Sequence, residues 1–254
     1  MNKNITWMHD INIAHRGLHD ISKEIPENTI IAFDQAINNN YAIELDVHLL
    51  KDGTLIVFHD DTLKRCCNID KKIKDMSYEE ISKLTVFNTE HKIPTLEDVL
   101  SYIDGRVPLI IEIKTDKSTR KICPKLAKLL KKYKGKVAVK SFSPAIIYWF
   151  KRYFSDIPRG LLTANFDTEK KFKLIKKVFL SSLMFMPLCK PDFLSVQLNM
   201  LKSKKIKRIK REQNLPILGW TFRTKLDKIN YEHFCDGYIF ENIKHMWKLG
   251  NINS

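Results

Sequence analysis

The pattern that most restricts the fold of this chain is a repeated alternation of short apolar runs with longer amphipathic stretches. Runs rich in β-branched residues are typical of strands, and apolar residues at helical spacing are typical of helices. The predicted strands lie near residues 11–15, 41–47, 108–114, 136–140, 158–162, 192–196, 216–220 and 236–239. The predicted helices lie near residues 28–39, 95–103, 118–134, 144–153, 168–180, 199–213 and 242–249. Alternating strands and helices form parallel sheets, and this number of units in 254 residues predicts a closed TIM-type (β/α)8 barrel.

A hairpin interrupts this alternation after the second predicted strand. Asp52 and Gly53 stand between two apolar runs, and this pair favours a two-residue hairpin turn. Such a turn would place His59 directly opposite Asp46, on the same face of the sheet. Because alternate residues of a strand share a face, Glu44 would project to that side as well. The turn therefore predicts a cluster of two carboxylates and one imidazole.

The whole chain, residues 1–254, is predicted to form one barrel domain with residues 60–95 as a small insertion. Hydrophobic residues make up 44% and charged residues 29%, which excludes a disordered chain. The five cysteines, of which Cys66 and Cys67 are adjacent, show no metal-ligand spacing and suggest a reducing compartment. The N-terminus lacks the apolar run of a signal peptide, so we expect a cytoplasmic protein. The longest apolar stretch, residues 178–189, is too short to cross a bilayer, so we expect no stable membrane insertion.

The net charge of +15 is concentrated in the C-terminal part of the chain. Residues 1–100 carry a net charge of −6, whereas residues 101–254 carry +21. Such an excess would favour anionic partners, so a non-catalytic protein that binds nucleic acid or an anionic membrane is one alternative. Lysine outnumbers arginine by 35 to 9, although arginine is the residue expected where phosphates or bases are recognised by paired hydrogen bonds. We therefore interpret the lysines as solvated helix faces and predict no nucleic-acid partner.

Three carboxylates stand in otherwise apolar strands. Glu44 and Asp46 lie two residues apart in the second predicted strand, and Glu112 stands in the next parallel strand with Lys114 on the same face. Carboxylates that point into a barrel repel one another unless a cation lies between them. Three carboxylates suit a hard divalent cation, Mg²⁺ or Ca²⁺, better than Zn²⁺. The alternative is a set of structural ion pairs, such as one between Glu112 and Lys114.

Histidine and arginine follow the first predicted strand, at the end where barrel enzymes carry their catalytic residues. His15 and Arg16 precede a glycine there, and His59 follows the hairpin. Together with the acids and Lys114, these groups would supply proton transfer and cationic donors for a phosphoryl oxygen. The alternative for any one such histidine is a structural role.

The order of the motifs resembles that of the glycerophosphodiester phosphodiesterases. The stronger motifs are IAHRG at 13–17, PENT at 26–29, IELDV at 43–47, KDGTLIVFHD at 51–60, IPTLEDVL at 93–100 and IEIK at 111–114. The weaker ones are KSFS at 140–143, GWT at 219–221 and DG at 236–237. The family's fold is a TIM-type barrel with a small insertion after the second-strand hairpin. The resemblance thus implies the fold that the alternation predicts.

The resemblance also implies roles for residues of the site. The general acid/base pair would be His15 and His59. The groups that contact substrate would be Arg16, Lys114, Phe142 and Trp220, and Asn28 would support the site together with Glu27 or reach the substrate. The divalent cation would be held by Glu44, Asp46 and Glu112, and Glu27 would support the site from behind. Phe142 and Trp220 would line the part of the site that binds the glycerol group of the substrate. The alternative is that these two rings only pack against each other at the barrel mouth.

The implied reaction is the metal-dependent hydrolysis of a small-molecule glycerophosphodiester to glycerol 3-phosphate and an alcohol. A phospholipase D-like hydrolysis of lysophospholipids is the alternative within related barrels. Two segments depart from the usual pattern: residues 65–67 read Arg-Cys-Cys where Arg-Thr-Thr is common, and residues 236–244 read DGYIFENIK where an ending like DGIITDYP is usual. We expect neither segment to touch the cation or the histidines.

Overall fold

The structure, a computed structural model, describes residues 5–10, 12–114, 119–165 and 183–241. Within these ranges the strands are β1 (Ile13–His15), β2 (Ala42–Leu49), β3 (Leu55–Val57), β4 (Leu109–Ile113), β5 (Val137–Ser141), β6 (Arg159–Thr163), β7 (Phe193–Gln197), β8 (Ile217–Phe222) and β9 (Gly237–Phe240). They form one sheet in the order β1-β9-β8-β7-β6-β5-β4-β2-β3, and β1 also pairs with β2. This last pairing closes the sheet into a barrel of eight parallel strands, while β3 is antiparallel to β2. The predicted (β/α)8 barrel is confirmed.

The helices of the described ranges lie between these strands. They are α1 (Trp7–Asp10), α2 (Ile30–Asn38), α3 (Lys64–Cys67), α4 (Tyr78–Ile81), α5 (Leu96–Ile103), α6 (Thr119–Lys132), α7 (Pro144–Tyr153), α8 (Met186–Cys189), α9 (Leu198–Leu201), α10 (Lys204–Gln213) and α11 (Lys225–Tyr231). Short 3-10 helices span Ile21–Lys23, Ile73–Asp75 and Glu232–Phe234. In the described part of the chain, no helix has both the length and the apolar composition needed to span a membrane.

One predicted helix of the C-terminal half is divided in the structure. The helix predicted near residues 199–213 is divided into α9 and α10, because the Ser203 hydroxyl accepts a hydrogen bond from the Ile206 amide and begins a new helix. The helices predicted near residues 168–180 and 242–249 lie outside the described residues.

The interior of the barrel consists of two layers that differ in polarity. The lower layer is an apolar plug and includes Ile13, Ala42, Ile110, Ala138, Phe193, Leu218 and Ile239. Because alternate strand residues share a face, the next inward position on each strand lies one layer higher. These positions are occupied by His15, Glu44, Glu112, Lys140, Ser195, Trp220 and Glu241. The polar layer therefore stands on the plug, toward the carboxyl ends of the strands.

The hairpin register differs from the prediction by one residue. The loop spans residues 51–53 instead of two residues, and its glycine has a φ of +88°. The amide of Phe58 donates to the carbonyl of Asp46 (2.9 Å), so Phe58 and not His59 lies opposite Asp46. The predicted two-residue turn is therefore wrong. The regular strand ends at Val57, so His59 lies beyond the paired residues of the hairpin.

The segment predicted as an insertion contributes an apolar cluster of its own. Its buried residues include Leu63, Cys66, Ile73, Met76, Ile81, Val86 and Ile93. The cluster packs beside the hairpin, since Leu50 and Ile56 belong to it. All five cysteines of the chain are free thiols.

Gly17 allows the chain to turn sharply after β1. Its φ is +79°, and a Cβ at this position would stand 2.9 Å from backbone atoms of Ala32 in α2. We expect Gly17→Ala to lower the free energy of unfolding by about 3 kcal/mol, because a left-handed backbone and a rigid clash act together. Gly53→Ala is the matched control, since its φ is also positive but its Cβ would meet only the mobile end of Lys125. Urea denaturation of both variants measures the difference, and equal losses would contradict the argument.

Candidate active site

Three carboxylates form a buried cluster in the polar layer. Glu44 and Asp46 project from β2 and Glu112 from β4, where Asp46 and Glu112 are register partners. Their side chains are fully or almost fully buried, and one oxygen atom of each lies within 4.8 Å of the corresponding atoms of the other two. Three like charges at this spacing require compensating cations.

Two lysines supply part of that compensation. The Lys114 Nζ lies 2.7 Å from Asp46 Oδ1 and 2.7 Å from Glu112 Oε1. The Lys140 Nζ lies 2.8 Å from Glu44 Oε1 and 3.4 Å from Glu112 Oε2. The ion pair between Glu112 and Lys114, considered above as an alternative, is therefore present within the cluster.

Nearby positive charges keep two of the buried acids, Asp46 and Glu112, ionised. Burial by itself would raise the pKa of Asp46, but the charge of Lys114, followed by those of His59 and Arg16, holds that pKa well below its ordinary value. Burial would likewise raise the pKa of Glu112, and the nearby lysines lower it. Asp46 and Glu112 are thus ionised at neutral pH.

The carboxylates retain capacity for a metal ion. Glu44 Oε1 and Asp46 Oδ1 are buried, and each lies 2.7–2.8 Å from one lysine ammonium group. A carboxylate oxygen has two lone pairs, so each of these atoms can also bind a cation. A donor set made only of carboxylate oxygens suits a hard divalent cation such as Mg²⁺ or Ca²⁺. The residues present therefore fit the predicted cation.

The segment after β1 supports the carboxylates from the side. The Arg16 amide donates to Glu44 Oε2 (3.2 Å), and its guanidinium donates to Glu27 (2.7 Å) and lies 3.5 Å from Asp46. The Asn28 side chain donates to Asp46 Oδ2 (2.9 Å) and accepts from the Asp46 amide (3.4 Å). Asn28 therefore holds a carboxylate in place in this structure.

His15 lies between two acids at the end of β1. Its Nε2 is 3.9 Å from Glu44 Oε2, and its Nδ1 is 3.7 Å from Glu241 Oε2. Glu241 also contacts His19 (3.3 Å) and Arg223 (2.6 Å). Burial would raise the pKa of Glu241, but the two histidines and Arg223 lower it strongly. The segment that departs from the usual family ending thus touches a predicted catalytic histidine, so the expectation that it would not is wrong.

His59 is connected to the rest of the site through a chain of ion pairs. Its Nδ1 lies 2.6 Å from Asp60 Oδ1, and both oxygens of Asp60 accept hydrogen bonds from Arg65. Arg65 also donates to Glu27, which in turn accepts from Arg16. Burial would raise the pKa of Asp60, whereas the bonds from His59 and Arg65 hold it far below its ordinary value. Arg65 thus supports the site through Asp60 and Glu27, and among the described side chains it contacts neither histidine directly, as expected for its segment.

Two aromatic residues meet at the carboxyl ends of β5 and β8. The ring centroids of Phe142 and Trp220 are 6.0 Å apart with an interplanar angle of 75°, an edge-to-face contact. Both side chains are half-buried. This contact agrees with the packing alternative, and a role toward glycerol stays a prediction.

Several residues of this arrangement were absent from the predicted site, among them Lys140, Asp60, Arg65 and Glu241. Lys140 and Glu241 each stand two residues beyond an inward-facing residue of the plug, Ala138 and Ile239, so strand alternation was a usable signal. Asp60 directly follows the second histidine, but no periodic pattern distinguishes it from other loop acids.

Comparison with known proteins relates this geometry to one family. A family model described as the glycerophosphoryl diester phosphodiesterase family matches residues 15–250. A glycerophosphodiester phosphodiesterase of Caldanaerobacter subterraneus is 39% identical over 166 residues, which cover 61% of this chain and 67% of the relative. One of Bacillus altitudinis is 33% identical over 164 residues, which cover 60% of this chain and 66% of the relative. The matched part thus spans about two thirds of the length of these relatives.

The fold is also shared with solved structures. A phosphodiesterase of Oleispira antarctica, solved in complex with the product sn-glycerol-3-phosphate, superposes with a TM-score of 0.75. The alignment covers 91% of this chain and 92% of that one at 20% sequence identity. At this identity the likeness shows a common barrel fold.

Proposed function

Because the chain belongs to the glycerophosphoryl diester phosphodiesterase family, we propose that it is a metal-dependent enzyme that hydrolyses glycerophosphodiesters to glycerol 3-phosphate and an alcohol. The observation that carries this proposal is the buried carboxylate triad beside His15 and two cationic side chains, at the carboxyl ends of the barrel strands. The Oleispira antarctica protein of the same fold binds glycerol 3-phosphate as its product, which supports the choice of substrate class.

The carboxylate triad would hold one divalent cation, Mg²⁺ or Ca²⁺. Its members are Glu44, Asp46 and Glu112. When bound, the cation would supply Lewis-acid stabilisation of the charge that develops on the phosphoryl group. Asn28 and the Arg16 amide would fix the orientation of the carboxylates, as their hydrogen bonds to Asp46 and Glu44 indicate.

Proton transfer is assigned to His15 and His59. One imidazole would remove the proton from the attacking oxygen, and the other would protonate the leaving alkoxide. Either assignment agrees with the geometry, as do direct attack by water and attack by the glycerol 2-hydroxyl through a cyclic phosphate. Asp60 and Glu241 lie beside the Nδ1 atoms of the two rings and would orient them.

Substrate contacts are assigned to the cationic and aromatic side chains around the mouth. Arg16 and Lys114 would bind the phosphodiester oxygens and offset their charge. Both are mostly buried, with about one seventh of each side chain exposed (13% and 15%), so they face the site more than bulk solvent. Phe142 and Trp220 would wall the glycerol end.

The test is hydrolysis of glycerophosphocholine by the purified full chain with Mg²⁺ or Ca²⁺, followed by detection of glycerol 3-phosphate. We expect turnover that depends on the cation. Lysophosphatidylcholine is assayed in parallel, and faster turnover of that lipid would favour the phospholipase D-like alternative. Absence of turnover on every diester would overturn the enzymatic proposal and favour a binding protein. A cytoplasmic location and a role in lipid and glycerol metabolism remain predictions.

Asp60→Asn tests whether the carboxylate beside His59 orients the imidazole. We expect kcat to fall about 10–100-fold with little change in KM, because the ring would lose its charged partner while the substrate contacts remain. Asp61→Asn is the matched control, because Asp61 is an exposed neighbour without a hydrogen bond to either histidine among the described side chains. Steady-state kinetics on glycerophosphocholine measure both variants, and equal behaviour of the two would refute the orienting role.

A further inference from the structure

Lys140 is a buried cation to which the proposed reaction assigns no role. Its side chain is 2% exposed and points into the barrel from β5, where Lys140 is the register partner of Glu112 on β4. The ammonium group lies 2.8 Å from Glu44 Oε1 and 3.4 Å from Glu112 Oε2. It therefore contacts two of the three carboxylates that are proposed to hold the divalent cation.

Two carboxylates are the partners of this enclosed ammonium group. A buried ammonium group needs such anionic partners, and Glu44 and Glu112 offset its charge here. Ala138 lies below it in the apolar plug and offers no other polar partner. Lys140 is therefore held against two carboxylates of the proposed metal site.

The two lysines of the cluster differ in their access to the mouth. Lys114 stands beyond the end of β4 with 15% of its side chain exposed, so its ammonium group has access to the mouth of the barrel. Lys140 lies within β5 and is enclosed. It would remain beside Glu44 when a divalent cation is bound, at a separation where like charges repel strongly.

We propose that Lys140 is a built-in counter-ion that keeps Glu44 and Glu112 assembled without the metal and weakens the binding of the divalent cation. The inference rests on the proposed metal site. In the metal-free protein the carboxylates would already be in place to bind the ion. In the metal-bound protein the ion would exchange readily with solvent. In this role Lys140 is a positioning residue and makes no contact with the substrate.

The test compares metal binding to wild type and Lys140→Met, both freed of metal with EDTA and then dialysed. Titration calorimetry with MgCl₂ and with CaCl₂ gives Kd for each ion. We expect Kd to fall at least about tenfold in Lys140→Met, because a repelling charge is removed from the ligand sphere. The melting temperature without metal should fall, and its rise on addition of Mg²⁺ should exceed that of wild type. Lys125→Met is the control, because it removes an exposed lysine whose ammonium group bonds the Gly53 carbonyl outside the barrel.

The outcomes of this test distinguish a failure of the inference about Lys140 from a failure of the proposed metal site. Binding to wild type with equal or weaker binding to Lys140→Met would overturn the inference and leave the metal site intact. Absence of binding to both proteins would overturn the metal site and the inference with it. Lys140→Gln, which keeps a hydrogen-bond donor near Glu44, is measured in the same way in case Lys140→Met does not fold. If neither variant folds in excess Mg²⁺, the lysine is required for folding and the proposed tuning of affinity is wrong.

Discussion

Replacement of His59 by alanine should lower kcat on glycerophosphocholine by about 10²–10⁴-fold, the usual contribution of one general acid or base. The physical reason is that His59 would transfer a proton at the reacting phosphodiester, while its neighbour Asp60, at 2.6 Å, holds the ring by Nδ1. KM should change much less, because Arg16 and Lys114 carry the contacts to the phosphodiester oxygens in this proposal. His15→Ala should reduce kcat within the same range.

The control for both histidine variants is His233→Ala. The His233 side chain is 79% exposed, and its nearest acid is Glu232 at 4.0 Å. This variant should retain wild-type kcat. A His59→Ala protein that is folded and turns over at nearly the wild-type rate would refute the acid/base assignment.

Removal of divalent cations should lower kcat at least as much as the replacement of His59 by alanine. Treatment with EDTA should lower kcat by about 10³-fold or more, since stabilisation of transition-state charge by a metal ion contributes several kcal/mol. Addition of Mg²⁺ or Ca²⁺ in excess should restore the activity, and the more effective ion identifies the better fit to the carboxylate oxygens. Full activity in the presence of EDTA would contradict the metal assignment.

Glu112→Gln tests the same assignment at one ligand with little disturbance of the cluster. In this variant Lys114 keeps Asp46 as a partner at 2.7 Å, and Lys140 keeps Glu44 at 2.8 Å. The cation concentration for half-maximal activity should rise more than about tenfold, because one charged ligand is lost. Glu79→Gln, at a side chain that is 85% exposed, should leave that concentration unchanged.

Much of the barrel was predictable because it depends on local patterns. The predicted strands near 41–47 and 108–114 correspond to β2 (Ala42–Leu49) and β4 (Leu109–Ile113), since apolar runs of this length are recognisable without knowledge of their partners. The side on which Glu44 lies follows from the two-residue period of a strand.

The hairpin shows where local patterns fail. The Asp-Gly pair indicates a turn, but the same pair is compatible with a two-residue and a three-residue loop, and one extra residue moves every pairing by one position. The observed loop has three residues, so the argument that set His59 opposite Asp46 is wrong, and Phe58 takes that position. The strand ends at Val57, and the path after it depends on packing of the insertion.

The sequence by itself determined that the chain alternates strands with helices and that acids, a lysine and a histidine point into the barrel, because these properties depend on residue type and on spacing along one segment. Only the tertiary structure decided which charges meet. Glu241 approaches His15 because β9 pairs with β1 when the barrel closes, and Lys140 reaches Glu44 across the intervening β4. Such contacts join residues about one hundred or more positions apart, and their distances are set by strand order and stagger, which no local pattern records.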